Sequence, residues 1–152
     1  MTYIGLDPAT RCGWCVIDDD GARIVSGVTD LSKPTKAQRA ANMRTLLADL
    51  LDAYPGSVVC YEVVRRHRGT AAAHVYGAIE QAILEVCDLR NIEPLPVEVA
   101  AIKRCATGNG AAKKPDMVAA ATRRWGIRVK RDDEADALWC AEAGRLETLA
   151  GV

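Results

Sequence analysis

Nothing in this chain reads as a leader or a membrane span. The N-terminus has neither a basic segment nor an apolar one, Asp7 falls where an apolar stretch would run, and no apolar run approaches the ~20 residues a bilayer requires. A soluble, cytoplasmic protein with no membrane partner is expected. Net charge is missing too, since Lys+Arg and Asp+Glu both number 20. That rules out a uniformly basic or acidic surface but leaves room for local fields of one sign. Cys12-Gly13-Trp14-Cys15 has C-x-x-C spacing, yet no second such pair completes a zinc site, and the segment runs into a strand rather than opening a helix as a redox motif would. The six cysteines (Cys12, Cys15, Cys60, Cys87, Cys105, Cys140) read as small core residues in a reducing compartment. Repeats and low-complexity linkers are absent as well. The 152 residues are expected to form a single domain, 1–152, which at this size hides roughly 70% of the surface of the unfolded chain.

The elements that are present follow one another in a simple order. Residues 2–7, 14–18 and 22–29 predict three strands, with Pro8 to Gly13 turning the first corner and Asp20-Gly21 marking a hairpin. Met43, Leu46, Leu47, Leu50, Leu51 and Tyr54 recur at helical spacing over 35–54, with Pro34 near the start and Pro55-Gly56 at the end. An apolar strand over 57–63 and a long Ala-rich helix over 70–89 come next, then a short strand near 92–97. Helices near 99–106, 115–125 and 133–149 complete the chain, the first two separated by a Gly-containing loop. The expected fold is α/β: a five-stranded mixed sheet, three antiparallel strands and then parallel ones, flanked by helices. In it the first and fourth strands can be neighbours.

Four carboxylates stand out against this frame. Asp7 ends the first apolar strand and Glu62 lies in the fourth, where an uncompensated charge would be costly. Asp133 and Asp136 are three residues apart, so both fall on one face of the last helix. Asp132, Asp133 and Glu134 also suit a helix start, at about even odds by spacing alone. Asp136 has no such explanation, because Ala137, Leu138, Trp139 and Cys140 follow it on a buried face. If the four converge, they form the oxygen-rich site that Mg²⁺ or Mn²⁺ requires, with two ions ~4 Å apart able to clamp the attacking and leaving oxygens of a phosphodiester. Basic residues gather in Arg65-Arg66-His67-Arg68, Lys103-Arg104, Lys113-Lys114, Arg123-Arg124 and 128–131. Any one of these clusters is ordinarily a solvated surface. Sharing one face around the acids, they would supply phosphate contacts that the zero sum conceals.

Ile4-Gly5-Leu6-Asp7-Pro8-Ala9-Thr10 with Gly13-Trp14, the Tyr61-Glu62 strand end, and Asp133-Glu134-Ala135-Asp136-Ala137-Leu138 resemble the RuvC-type Holliday junction resolvases of the RNase H-like superfamily. The likeness continues through Pro96-Val97-Glu98-Val99, Ile102-Lys103 and Gly108 to Lys114, where two lysines flank a Gly-x-Gly turn, and it spans about residues 3–144. It implies an RNase H-like nuclease domain and a homodimer that nicks two opposed strands of a four-way DNA junction, leaving 5′ phosphate and 3′ hydroxyl. It further implies two Mg²⁺ ions per active site, replaceable by Mn²⁺, on Asp7, Glu62, Asp133 and Asp136. Glu134 stands as an alternative ligand. Lys103 and Lys114 fall on the catalytic lysines of the family, and Arg65, Arg66, His67, Arg68, Arg104 and Lys113 are the expected DNA contacts.

One departure concerns the junction itself. Relatives often carry an aromatic wedge about three positions after the strand-end glutamate; this chain has Arg65 there and contains no Phe. A guanidinium can stack on bases and bind phosphate, so Arg65 is expected to take part of that role. The Ala-rich helix, with Ala71 to Ala73, Gly77, Ala78 and Ala82, offers a face for close helix approach or for packing on its own sheet. Competing readings are an RNase H-like nuclease acting on flaps, forks or structured RNA, a junction-binding protein without catalysis, and an ATPase domain resembling the sugar kinase and actin superfamily. The last needs two lobes and therefore a longer chain.

Overall fold

β1 (Tyr3–Asp7), β2 (Arg11–Ile17) and β3 (Arg23–Asp30) form the expected meander. They are followed by α1 (Lys36–Ala53), β4 (Val58–Val63), α2 (Thr70–Leu89), β5 (Leu95–Glu98), α3 (Val99–Thr107), α4 (Lys114–Trp125) and α5 (Asp132–Leu149). The computed structural model describes residues 1–32, 35–129 and 131–151; Pro34, read above as lying near the start of α1, and position 130, in the last basic cluster, fall outside them. The hairpin between β2 and β3 closes where the Asp18 N–H reaches the Ala22 carbonyl at 2.9 Å. Gly21 takes φ +81 there, a conformation that side chains disfavour. α1 is capped by the Thr35 hydroxyl, which accepts from the Gln38 N–H at 3.1 Å.

The sheet order is β3-β2-β1-β4-β5. β1 pairs antiparallel with β2 and parallel with β4, and β4 pairs parallel with β5. The fold class read from the sequence is therefore the one observed. β2 begins at Arg11, earlier than its apolar pattern suggested, because Asp7 pairs with Gly13 and the ladder extends beyond Trp14. Since Leu6 is in register with Tyr61, Asp7 and Glu62 leave the sheet side by side at the same edge.

Alternation along the strands divides the core between two faces. Ile4, Leu6, Val59 and Tyr61 point toward α1 and α2, where they meet Met43, Leu47, Ile79 and Ile83. Tyr3, Cys15 and Cys60 point toward α3, α4 and α5. Cys12 and Cys15 thus lie on opposite faces, both buried and free, and cannot share a metal. No helix among the described residues is long and apolar enough to cross a membrane.

α5 is the best-buried helix, with an unbroken buried run from Ala137 to Gly144. It lies on β1 and β2 at backbone contact distance. A Cβ at Gly5 would strike the Ala137 carbonyl, and one at Gly13 would strike the Asp133 carbonyl. These two glycines are needed for close approach, not for an unusual φ. Their absence of side chains lets the N-terminal turn of α5 descend onto the end of β1, where the acids meet.

Candidate active site

Carboxylate oxygens of Asp7, Glu62 and Asp136 lie within 4.8 Å of one another. Strand pairing positions the first two, and the close seating of α5 brings in the third. Asp133 stands just outside this triangle, hydrogen-bonded with Asp7 and 3.8 Å from the Arg131 Nε. Such a cluster cannot be fully ionised without compensation. Burial, then the charges of Glu62 and Asp136, push the Asp7 carboxyl well above its ordinary range. Burial also raises Glu62, opposed by its hydrogen bond with Asp7 and by the charge of Lys103. Asp136 is pushed up to about 7, by burial first and then by Glu62, Asp132 and Asp133, against the pull of Lys114. Asp133 is raised by burial and Asp132, and held down by Asp7, Lys114 and Arg11.

The Glu62 Oε2 is buried and has no hydrogen-bond partner. An orphaned acceptor costs free energy, and this one sits among oxygen donors only, so a hard divalent cation fits the donor set. Among the described residues, Asp7, Glu62 and Asp136 form the group that could hold a metal ion.

Glu134 is turned elsewhere. Its Oε2 accepts a hydrogen bond from the Ser26 hydroxyl on β3 at 2.6 Å, and Ser26 also faces the Arg23 Nε at 2.5 Å. Glu134 thus ties the start of α5 to β3 and is not an alternative ligand by this geometry. Glu134→Gln preserves that hydrogen bond, and metal-dependent activity is expected to stay within about threefold of the parent, an effect below 1 kcal/mol. A loss comparable to that of Asp136→Asn in parallel rate measurements would return Glu134 to the metal site.

The two lysines that flank the Gly108–Gly110 turn both face the acids. Lys103, half-buried on α3, acts electrostatically on Glu62. Lys114 opens α4, and its ammonium lies 3.5 Å from Asp132 with 81% of its side chain exposed. Arg131, from the basic cluster at 128–131, and Arg11, which the sequence reading did not single out, complete a cationic rim beside Asp133. Arg11 was missed because it appeared to lie in a turn rather than at the start of β2.

The expected phosphate contacts are less uniform. Arg65, Arg66 and Arg68 are exposed in the loop after β4. Arg65 is clasped by Glu98, its Nη2 and Nε at 2.7 and 2.8 Å from the same carboxylate oxygen. That pair is solvent-screened and easily exchanged for a phosphate. His67 packs on Tyr76, ring centroids 5.1 Å apart. Lys113 is exposed at the N-cap of α4, and its N–H reaches Asp116 at 3.3 Å. Arg104 departs from the group: it lines a groove with Cys105, Ala143, Leu146 and Ala150 near the C-terminal end of α5, away from the carboxylates at its start. Periodicity could not decide this, because Lys103 and Arg104 project about 100° apart on one helix.

Tyr76 is a positioning residue that only tertiary structure exposes. Its hydroxyl accepts from the Val64 N–H and faces the Glu62 carbonyl, both at 3.1 Å, prolonging β4 where hydrogen bonds to β5 have ended. Glu80 lies 3.3 Å from the same hydroxyl.

No family model matches the chain. It is 30% identical over 152 aligned residues to the crossover junction endodeoxyribonuclease RuvC of Nocardia farcinica, covering 91% of this chain and 77% of that protein. It is 28% identical over 166 aligned residues to the enzyme of the same name from Nitratidesulfovibrio vulgaris, covering 100% of this chain and 97% of that one. Among solved structures, Thermus thermophilus RuvC in complex with Holliday junction substrate superposes with a TM-score of 0.88 at 19% identity, over 99% of this chain and 96% of the other. That last likeness is one of fold.

Proposed function

Since the chain belongs to the RuvC family of crossover junction endodeoxyribonucleases, we propose that it resolves four-way DNA junctions by metal-dependent phosphodiester hydrolysis, leaving 5′ phosphate and 3′ hydroxyl. The observation that carries this reading is the orphaned Glu62 oxygen buried in a triangle of carboxylates, with Lys103 acting on Glu62 and Lys114 on Asp136. Asp7, Glu62 and Asp136, with Asp133 beside them, would hold two Mg²⁺ ions, or Mn²⁺ in their place. When bound, such ions supply a water nucleophile of lowered pKa and neutralise charge developing on the phosphate.

The protein's own groups do the rest. Lys103 and Lys114 approach from opposite ends of the turn and fix a phosphate over the carboxylates, adding positive charge where the pentacoordinate state gains negative charge. Arg11 and Arg131 extend that field along the strand. Lys114→Ala is expected to slow single-turnover cleavage of a saturating junction by roughly 10²-fold, the usual scale for one electrostatic group in the transition state. Lys103→Ala, which also removes a charge that opposes the raising of Glu62 by burial, should cost at least as much. Unchanged rates would return both to the solvated surface.

We read residues 1–152 as one RNase H-like nuclease domain acting as a homodimer, the arrangement two opposed nicks require. α2 suits the contact, since it buries Tyr76, Ile79 and Ile83 on its own core while Gly77 faces open space. The decisive experiment is cleavage of an end-labelled four-way junction, a fork and a linear duplex of matched sequence, with and without Mg²⁺. Paired symmetric nicks confined to the junction are expected. Equal cutting of forks would favour a broader branch nuclease, a reading to which Arg65 in place of an aromatic wedge lends weight. Absence of cutting with Mg²⁺ or Mn²⁺ would refute both.

A further inference from the structure

The first turns of α5 carry Asp133 and Asp136 into the site, yet no side chain caps them. Arg131, at the N-cap, makes no side-chain cap hydrogen bond, and a helix start left so depends on tertiary contacts for its direction. Gly13 on β2 meets the Asp133 carbonyl and sets how deep the helix start sits. A single backbone contact sets depth and leaves rotation open. The second contact lies on β3, the edge strand of the sheet. Ser26 stands opposite Cys15 in the β2–β3 ladder, so both side chains face α5, and the Cys15 thiol donates to the Ala137 carbonyl at 3.2 Å. The Arg23 Nε donates to the Ser26 hydroxyl at 2.5 Å, and that hydroxyl donates to the Glu134 Oε2 at 2.6 Å. Each link of such a chain polarises the next, and the guanidinium at its head strengthens the bond that reaches Glu134.

We propose that Ser26, oriented by Arg23, is a positioning residue for the cation site, acting through Glu134 to set the rotation of the start of α5. The proposal rests on the reading that the acids hold a divalent cation. Successive residues of a helix project about 100° apart, so Asp136 lies about 200° from Glu134, on the far side of the helix. The strand order β3-β2-β1-β4 places Ser26 at one edge of the sheet and Glu62 beyond β1 on the other side. Drawing Glu134 to β3 therefore turns Asp136 toward Asp7 and Glu62, where oxygens of the three carboxylates come within 4.8 Å of one another. The same bond keeps the Glu134 carboxylate out of that triangle. Groups one step removed from a metal commonly contribute about 10- to 100-fold to its affinity.

The test is a titration of the DNA-free protein with Mn²⁺, in which loss of the free-ion electron paramagnetic resonance signal reports binding. Ser26→Ala removes the donor and should weaken Mn²⁺ binding about tenfold or more, while Ser26→Thr keeps a hydroxyl, suits a strand and should restore binding to within about threefold. Arg23→Ala should cause a smaller loss, since the Ser26 hydroxyl remains. Glu134→Ala should match Ser26→Ala, and the double variant should lose no more than either alone, because both remove one brace. Glu134→Gln keeps the acceptor and should bind as the parent does. Cleavage at limiting Mg²⁺ should slow in step with the loss of binding, while junction affinity in Ca²⁺ stays parent-like. A brace that only stabilises the fold would lower the melting temperature of Ser26→Ala and leave Mn²⁺ binding intact, and that result overturns the proposal. So does a loss that threonine fails to restore, or losses that add in the double variant. If the parent itself binds no Mn²⁺, the cation reading of the acids falls and takes the brace with it.

Discussion

Asp7→Asn is expected to abolish metal-dependent cleavage, by at least about 10³-fold, while junction affinity stays within about threefold of the parent. Asp7 lies in the carboxylate triangle and feels the charges of Glu62, Asp136 and Asp133. Replacing its charge by an amide removes a ligand without changing shape. Affinity is expected to survive because phosphate contacts dominate binding, and those are assigned above to Arg11, the loop after β4 and the lysines. The same substitution should stabilise the metal-free protein at pH 8. Asp7 is raised in the folded state, and so are Glu62, Asp133 and Asp136.

A group with a raised folded pKa binds more protons folded than unfolded, so its stabilising contribution is complete below the unfolded value and is lost as pH climbs through the folded one. For Asp136 that window runs from its ordinary 3.8 to about 7. The melting temperature of the metal-free parent should therefore fall between pH 5 and pH 8, and Mg²⁺ should raise it more at pH 8 than at pH 5. Asp7→Asn should flatten both dependences, by roughly 2–4 °C for each kcal/mol of repulsion relieved. A parent that melts equally at both pH values, with or without Mg²⁺, would show that these acids do not form a coupled cation site. Full cleavage by the variant would refute the ligand assignment.

Gly13→Ala is the second large effect, and it acts through the backbone. The new methyl group would occupy the space of the Asp133 carbonyl and approach the Glu134 N–H to 3.0 Å. Neither atom can yield as a flexible side chain would, so the N-terminal turn of α5 must lift from β2. Overpacking of this kind costs about 1–3 kcal/mol. The catalytic consequence is larger, because displacing a positioned group by about 1 Å costs on the order of 10²-fold in rate. Thermal unfolding in EDTA and single-turnover cleavage in Mg²⁺ measure the two losses separately. Parent-like values in both would mean that α5 has slack where the structure gives it none.

The sequence exposed the acids because charges ending apolar strands are anomalies that burial alone makes expensive. Asp7 and Glu62 were legible for that reason, and Asp136 because capping could not explain it. The bounds of α1, α2, α3, α4 and α5 were close to those read from the sequence. Other features depended on partners distant in the chain. Glu134 and Asp133 are adjacent on a first helical turn, and only Ser26 on β3 distinguishes them. Tyr76 carries no local signature of its role; the end of β4 gives it one. Arg104 read as a DNA contact beside the catalytic Lys103, but it lines a groove with the C-terminal part of α5 instead.

By itself, then, the sequence determined the order and kind of the elements and singled out the four acids, because periodicity and the cost of buried charge are local properties. Tertiary structure alone decided that β1 pairs with β4, how close those acids come and which three of them cluster. Those distances are set by the seating of α5 on Gly5 and Gly13, a backbone contact between residues more than a hundred positions apart.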